Sequence, residues 1–597
     1  MNGPDESESA YDLATTWACD FETTTEVDYK EEGRVRVYLW HARSLDDSDR
    51  EESGFDVESF IEWLVRSKGV VKTCVFHNLK FDGSFILYRC MADSWKVGGP
   101  NHRGTKKNPT RIVTTLITDL GQWMSMTLKF GTHVVRFMDS AKKFPGLSLE
   151  QLAKVYGIEG KSELNTYIRR PLGTPVTDEE MNRVRGDTRI LRHAMRDVLG
   201  SGATRLTMAS DAKKSFEDIW REKWGPGADL MWKRWFPQIS EKLNEVFRRA
   251  YNAGWVYLNP VFKGVILGGK GRDRIHVFDV NSMFPSKMIL RLPRGVPVKR
   301  RPKEGEGYII RFKTSFRLKK GKLPFLHAKK SIYMETSEFI TDSEGIMELV
   351  MCDLDFELFQ ECYDVDFVAA REYWSFAMGE SPFKEYIDFW MDRKKNARNP
   401  EEKATAKRYL NSLYGKTAES GTKMSKVPYY DRASDTVKFD LETTHGHEWY
   451  LPVAIWITAY ARTEIVHFAQ RFAEPSEKYP NGRFVYSDTD SVHVLGDEIP
   501  EGMPIDPKEL GKWKHESVSY MARYVGPKKY AHYLTWDPAK PSDKEVFSVA
   551  CAGMPSGCKA NVNLWNFVSG ARFKGKLQGS TVPGGYLLSE VEYTIRV

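Results

Sequence analysis

The chain of 597 residues is poor in cysteine and has no long apolar run. Its seven cysteines are scattered, odd in number and never spaced Cys-x-x-Cys. That argues against a zinc site or a disulfide framework and fits a reducing compartment. No stretch is long and apolar enough to span a bilayer. The acidic start, with Asp5, Glu6 and Glu8, is unlike a signal peptide. No internal repeat or long low-complexity tract occurs. A large charge excess is missing too: 88 basic against 81 acidic residues leave a net +7. Electrostatic binding of nucleic acid therefore needs clustered basic residues. Such clusters run from Arg393 to Arg398, from Lys403 to Arg408, at Lys528-Lys529 and from Lys299 to Arg301. At this length several domains are expected. The expectation is a cytoplasmic protein with no membrane partner.

What is present is a set of carboxylates at predicted strand ends. Tyr486-Ser487-Asp488-Thr489-Asp490-Ser491 lies between Phe484-Val485-Tyr486 and Val492-His493-Val494. The β-branched and aromatic flanks predict strand, tight turn, strand, with the aspartates at or beside the tip. The two carboxylates share a side only if the strand runs on through them. Upstream, Arg274 to Phe278 reads as a strand ending in Asp279-Val280-Asn281-Ser282-Met283-Phe284-Pro285. Pro285 cannot continue a central strand, so the chain turns and Asp279 is presented from a rigid strand end. Oxygen ligands of this kind suit magnesium or manganese. Two such ions clamp the attacking and leaving oxygens of an in-line phosphoryl displacement. Taken singly, each acid reads equally well as a turn cap or a solvated side chain.

Between these elements, Glu401 to Gly415 carries a helix signature. Asn399 is its N-cap, Glu401 and Glu402 lie in the first turn, and Gly415 is the stop. At about 100° per residue, Lys403, Lys407, Asn411 and Tyr414 share one face. That face suits a triphosphate with its sugar and base. Arg393, Lys394, Lys395 and Arg398 precede the Asn399-Pro400 break, which predicts a basic helical hairpin.

A second carboxylate set lies near the N-terminus. A strand-like run, Thr15 to Cys19, leads into Asp20-Phe21-Glu22-Thr23, and alternation puts Asp20 and Glu22 on one face. Asp82 follows the apolar Val75-Phe76 and opens a predicted helix, while Asp187 sits in a charged helical run from Thr177 to Arg196. Four acids can bind two metals and hydrolyse a phosphodiester by the same in-line logic.

In this order the elements resemble the three polymerase motifs of family B DNA polymerases. The first is Asp279-x-x-Ser282-Met283-Phe284-Pro285, the second Lys407-x-x-x-Asn411-Ser412-Leu413-Tyr414-Gly415, and the third the Tyr486 to Ser491 stretch. The N-terminal acids resemble the 3′→5′ proofreading exonuclease domain of the same family. Asp20 and Glu22 match its first motif, Asn78 and Asp82 its second and Asp187 its third, and Lys161 takes the place of an upstream catalytic lysine. There is one departure. Four residues before the third aspartate the family has tyrosine, and this chain has Arg183. A cation there either contacts the scissile phosphate or misplaces the attacking water. His193-x-x-x-Asp197 offers an alternative frame for the third motif. Tyr251-Asn252-Ala253-Gly254 resembles a linker motif that balances the two activities, and Lys528-Lys529-Tyr530 a motif that holds the primer end. Cys551-Ala552-Gly553-Met554 and Val582-Pro583-Gly584-Gly585 resemble the small thumb of the protein-primed, phi29-type branch. Two long spacings, from Phe284 to Lys394 and from Gly415 to Tyr486, lie where that branch carries insertions.

The resemblance implies an α/β multidomain (α+β) fold, an RNase H-like exonuclease domain followed by a right-hand polymerase. The implied ranges are exonuclease 1–218, palm 219–290 and 457–550, first insertion 291–382, fingers 383–418, second insertion 419–456 and thumb 551–597. Catalysis falls to Asp279, Asp488 and Asp490, and to Asp20, Glu22, Asp82, Lys161 and Asp187. Two magnesium or manganese ions per site are implied, held by Asp279, Val280 and Asp490 and by Asp20, Glu22, Asp82 and Asp187. Val280, Phe284, Lys395, Lys403, Lys407, Asn411 and Tyr414 are the implied nucleotide contacts. Thr23, His77, Asn78, Phe81, Tyr251, Gly254, Ser282, Gly415, Lys528 and Tyr530 are the implied DNA contacts. Expected partners of the monomer are primer-template and single-stranded DNA, deoxynucleoside triphosphates and a terminal protein primer. The competing readings are a polymerase with impaired proofreading and a DNA-binding nuclease or scaffold.

Overall fold

The computed structural model describes residues 12–98, 111–160, 169–327, 339–367, 371–446, 448–496, 505–536 and 546–596. Lys161 lies outside the described residues. The fold is α/β and multidomain, as the sequence implied. The N-terminal sheet has eight strands. Thr16–Thr23, Val37–Ser44 and Glu51–Gly54 form an antiparallel meander, and Thr73–Phe76 pairs parallel to Thr16–Thr23, with His133–Asp139 parallel beyond it. This strand order is the RNase H-like arrangement expected. Alternation along the first strand decides what faces what. Trp17, Cys19 and Phe21 enter a core with Phe60, Phe76 and Phe137, while Ala18 packs with Ile190 and Leu191 on the opposite face. Asp20 and Glu22 fall on the Ala18 face, toward helix Asp178–Gly200. That helix begins at a capping box between Thr177 and Glu180.

A second, wholly antiparallel sheet is central to the C-terminal half. Its order is Val546–Cys551, Lys529–Trp536, Trp513–Gly526, Arg274–Val280, Ser491–Gly496, Phe484–Asp488, Val256–Leu258. Helix Leu451–Ala473 is buried along most of its length, as expected of a helix that is apolar all round. Its one buried guanidinium, Arg462, pairs with both oxygens of Asp355 at 2.9 and 2.6 Å and donates to the carbonyls of Asn252 and Ala253. Removing one partner of such a pair costs about 3–5 kcal/mol. Leu292–Val298, Glu372–Gly379, Gly307–Leu318, Met347–Cys352 and Tyr363–Phe367 form a separate five-stranded sheet.

Two hairpins complete the molecule, Thr422–Asp431 with Thr436–His445 and Arg572–Val582 with Gly585–Thr594. Both dock on the N-terminal domain. Val35 donates its N–H to Pro583, and a side chain at Gly584 would run into the Val35 carbonyl. Asp119 donates to Met424, and the Tyr88 hydroxyl donates to Asp435 at 2.8 Å. Val437, Val582 and Leu587 share one apolar cluster with Phe76 and Phe85, so three parts of the chain close on each other.

One predicted boundary needs correction. The basic helix spans Pro400–Thr417 and runs through Gly415 rather than stopping there. Leu413 and Thr417 are buried on its inner face, and that packing outweighs the poor helix propensity of one exposed glycine. Its start is as predicted, with the Asn399 side chain accepting from the Glu402 N–H. The seven cysteines are free and buried. Among the described residues no helix is long and apolar enough to cross a membrane.

Candidate active sites

The polymerase-like acids converge at one end of the central sheet. Asp279 sits opposite Ser491 on one neighbouring strand and opposite Lys514 on the other. The hairpin strand ends at Asp488, so Asp488 and Asp490 do not continue one strand face. Thr489 between them adopts φ 63°, unusual for a β-branched residue. It is held there from behind: its N–H donates to Trp255 at 2.8 Å, and a Cβ on Gly254 would lie 2.5 Å from its methyl group. The Val280 N–H donates to the Asp490 carbonyl at 2.9 Å, locking tip to strand.

The turn sends the two tip carboxylates different ways. Asp488 receives Lys528 Nζ at 2.8 Å and the Tyr486 hydroxyl at 3.3 Å, and that hydroxyl also accepts the Lys528 N–H. Asp490 instead faces Asp279. Burial pushes the Asp279 carboxyl up to about 7, with the charges of Asp490 and Glu516 adding and Lys514 opposing. Asp490 is raised as well, by burial first and then by Asp488 and Glu516. Lys514 reaches Asp279 at 3.2 Å and Glu516 at 2.9 Å. Neither Lys514 nor Glu516 was legible in the sequence. They lie two apart on a strand of mixed residues, and only sheet pairing brings them to Asp279.

The basic helical hairpin leans over these acids. Lys394 is lowered by burial and then by Lys407, Lys403 and Lys514, so four ammonium groups crowd one region. Lys394 thus joins the cluster, and Lys395, one residue on, is exposed. Phe284 stacks on Tyr414 with ring centroids 3.9 Å apart and planes 15° from parallel. Tyr414 is raised by burial, Tyr251 and Asp490, which puts it beside both. Asn411 and Gly415 are exposed on the same helix. Ser282 takes a left-handed φ of 51° ahead of helix Met283–Met288. Tyr530 is pushed up to about 12 by burial, with Asp488 contributing.

The N-terminal acids form a second cluster. Carboxylate oxygens of Asp20, Glu22 and Asp187 lie within 4.8 Å of one another, a group able to hold a metal ion. Asp82, buried in the first turn of helix Leu79–Ala92, accepts the Phe21 N–H at 3.2 Å. Burial holds its carboxyl well above the usual range, with Glu22 and Asp139 adding. Asp139, absent from the sequence reading, accepts from the Asn78 and Ala141 N–H groups and braces the left-handed Asn78. The alternative frame fails: His193 and Asp197 are exposed, one edge-on to Tyr156 and the other accepting from its hydroxyl. Arg183 Nε stands 3.0 Å from Glu22 Oε1, on an acid of the cluster itself. His77 bonds Ser140 and the Leu147 carbonyl. Phe81, an expected DNA contact, is half-buried and packs edge-on to Phe85 and to Tyr586 of the C-terminal hairpin. Thr23 closes the Asp20 strand.

Residues 200–495 match the model of the family described as DNA polymerase type B, organellar and viral. The DNA polymerase of Bacillus phage phi29 is 32% identical over 97% of this chain and 99% of its own. That of Bacillus phage Nf is 31% identical with the same coverages. The solved structure of phi29 DNA polymerase with primer-template DNA and incoming nucleotide substrates superposes with a TM-score of 0.83, at 30% identity over 98% of this chain and 100% of that one. With identities above 30% across nearly the whole of both chains, the chain belongs to the phi29-type family of type B DNA polymerases.

Proposed function

We propose that the chain is a template-directed DNA polymerase that adds deoxynucleotides to a primer 3′ end beside Asp279 and Asp490. One observation carries the reading: two mutually repelling, half-buried carboxylates lie under a cluster of four lysines. Acids there suit divalent metal, and lysines suit a triphosphate. The donor set fits the metal, because ligands are hard oxygens and a positive charge would relieve the burial and repulsion that raise Asp279. Asp279, Asp490 and the Val280 carbonyl would hold two magnesium or manganese ions. When bound, these ease deprotonation of the primer hydroxyl and offset charge on the departing pyrophosphate.

The remaining work falls to the chain. Lys394, Lys403 and Lys407 grip the triphosphate, with Lys395 at the edge. Lys528 and Tyr530 hold the primer end through Asp488. The Phe284 ring, backed by Tyr414, lies under the sugar and leaves no room for a 2′-hydroxyl. Positioning and electrostatics suffice, without a covalent intermediate.

The Asp20, Glu22, Asp82 and Asp187 cluster is assigned to 3′→5′ proofreading, with Lys161 as its lysine. The Arg183–Glu22 pair favours a second reading, a polymerase that proofreads weakly. Protein priming by a terminal protein and strand displacement are assigned by family membership. The mutual docking of the two hairpins and the N-terminal domain supports a closed passage for DNA. The domain ranges given above are proposed on the same ground. The test is one gel. A 5′-labelled primer on circular single-stranded DNA, with magnesium and nucleotides, should yield products longer than one template length. Without nucleotides the primer should shorten slowly. No extension at all would sink the polymerase reading in favour of a nuclease or scaffold.

A further inference from the structure

Away from both carboxylate sites, a cavity of ≈ 210 Å³ opens between helix Met208–Trp224, helix Ala228–Trp235 and Trp449. Three indoles wall it. Trp220 and Trp232 cross at 89° with centroids 5.7 Å apart, and Trp232 meets Trp449 at 5.9 Å. Lys213, Glu217 and Arg221 line it from successive turns of the first helix.

Core packing accounts for the rings, since Phe216 and Phe236 also pack on Trp232 and Lys213 lies over Trp449, but not for every polar atom in the wall. Phe216 and Phe236 pack against Trp449 from within. Trp220 donates its Nε1–H to the Ala228 carbonyl at 3.0 Å. Trp449, only 9% exposed, buries its Nε1–H with no hydrogen-bond partner among the described residues. An unmade buried hydrogen bond is costly, and native chains rarely leave one. Glu217 is raised by burial and drawn back by Lys213 and Arg221, so the cavity offers an acceptor beside two cations.

Size narrows the ligand. A cavity of about 150 Å³ holds benzene, so ≈ 210 Å³ takes one flat heterocycle and not a whole nucleotide. We propose that this cavity binds a single unstacked nucleobase. Trp232, the most exposed of the three indoles, stacks on its face, and the other two wall its edges. Trp449 Nε1–H donates to a ring nitrogen or carbonyl, and Glu217 accepts from an exocyclic amine. Lys213 and Arg221 hold the attached phosphate at the mouth. Bases bearing an amine are therefore favoured over thymine. Helix Met208–Trp224 packs along helix Pro400–Thr417, so the cavity and the lysine cluster share one support. The inference rests on the DNA polymerase reading only for the presence of nucleotides or single-stranded DNA.

The test is photo-crosslinking with a 5-iododeoxycytidine dodecamer and, separately, with the corresponding mononucleotide. Peptide mass spectrometry locates the adduct, and fluorescence anisotropy measures affinity. Adducts at Trp232 or Trp449 are expected. Trp232→Ala should weaken binding of oligo(dC) about tenfold, within the range for losing one base–aromatic stack, and binding of oligo(dT) less. Trp449→Phe keeps the ring and removes only the N–H, so weaker oligo(dC) binding by that variant at an unchanged Tm separates ligand loss from misfolding. Adducts with the dodecamer alone assign single-stranded DNA as the source, and adducts with both assign free nucleotide as well. Unchanged affinity in both variants, or adducts confined to other regions, would overturn the proposal. So would protection of Trp232 by an aromatic peptide but not by DNA. Primer extension by the unaltered chain, run in parallel, reports on the polymerase reading independently.

Discussion

The two carboxylate clusters use the same kinds of acid on different supports, with different counter-charges. Asp279 and Asp490 stand at a strand end and a hairpin tip, braced by Trp255 and Gly254. Lys514 reaches Asp279, and Lys528 reaches Asp488 at the same tip. Lysine is a compact charge on a flexible stem and is easily displaced by a metal or phosphate. Asp20, Glu22 and Asp187 come from mid-strand and from a long helix, and among the described residues Arg183, one turn ahead of Asp187 on that helix, pairs with Glu22. Both partners of the Arg183–Glu22 pair are largely shielded, with side chains 14% and 12% exposed. A guanidinium ion-paired at that depth competes with a metal for Glu22 more stubbornly than a lysine would. The difference teaches that an acid cluster is not equivalent to a ready metal site. What neutralises the acids in the unliganded chain sets how easily they are recruited.

The largest expected effect would break the comparison outright. Asp490→Asn should cut primer extension by about 10³-fold or more, the scale of losing a central electrostatic contact, while primer shortening without nucleotides persists. If both fall together, the sites are not independent. Phe284→Val should admit ribonucleotides about 10–100-fold more readily, as expected when a steric contact is removed, measured by single-nucleotide incorporation. Selectivity unchanged by that substitution would strip the stacked ring of its assigned role. Arg183→Tyr should speed excision about tenfold, equivalent to about 1.4 kcal/mol, and tighten manganese binding measured by calorimetry. Slower excision would mean that Arg183 serves the scissile phosphate, and the contrast with Lys514 would dissolve.

The smallest effect concerns stability. The folded pKa of Asp279, about 7, lies above its ordinary value of 3.8. The folded chain therefore holds this proton more tightly than the unfolded one. Its contribution is fully present below about pH 4 and is lost as pH rises through about 7. Without metal, Asp279→Asn should raise stability at pH 8 by about 1–3 kcal/mol and change it little at pH 4, measured by denaturant titration. An equal gain at both values would mean that burial, not ionisation, strains the site.

The sequence by itself determined the elements and the acids they carry. Alternation, Pro285, the Asn399 cap and the β-branched flanks of the Asp488 turn are local signals, and each element formed where those signals put it. The helix end at Gly415 failed because buried Leu413 and Thr417 reward continuation, which a local rule cannot register. Tertiary structure alone decided the partners. It set Lys514 and Glu516 against Asp279, gathered Lys394 with Lys403 and Lys407, packed Phe81 beside Tyr586 and laid Arg183 on Glu22. Strand register and helix packing join residues hundreds of positions apart, and electrostatic environment depends on distance in space. A chain of isolated motifs can announce which acids matter, but only the packed fold assigns each its counter-charge.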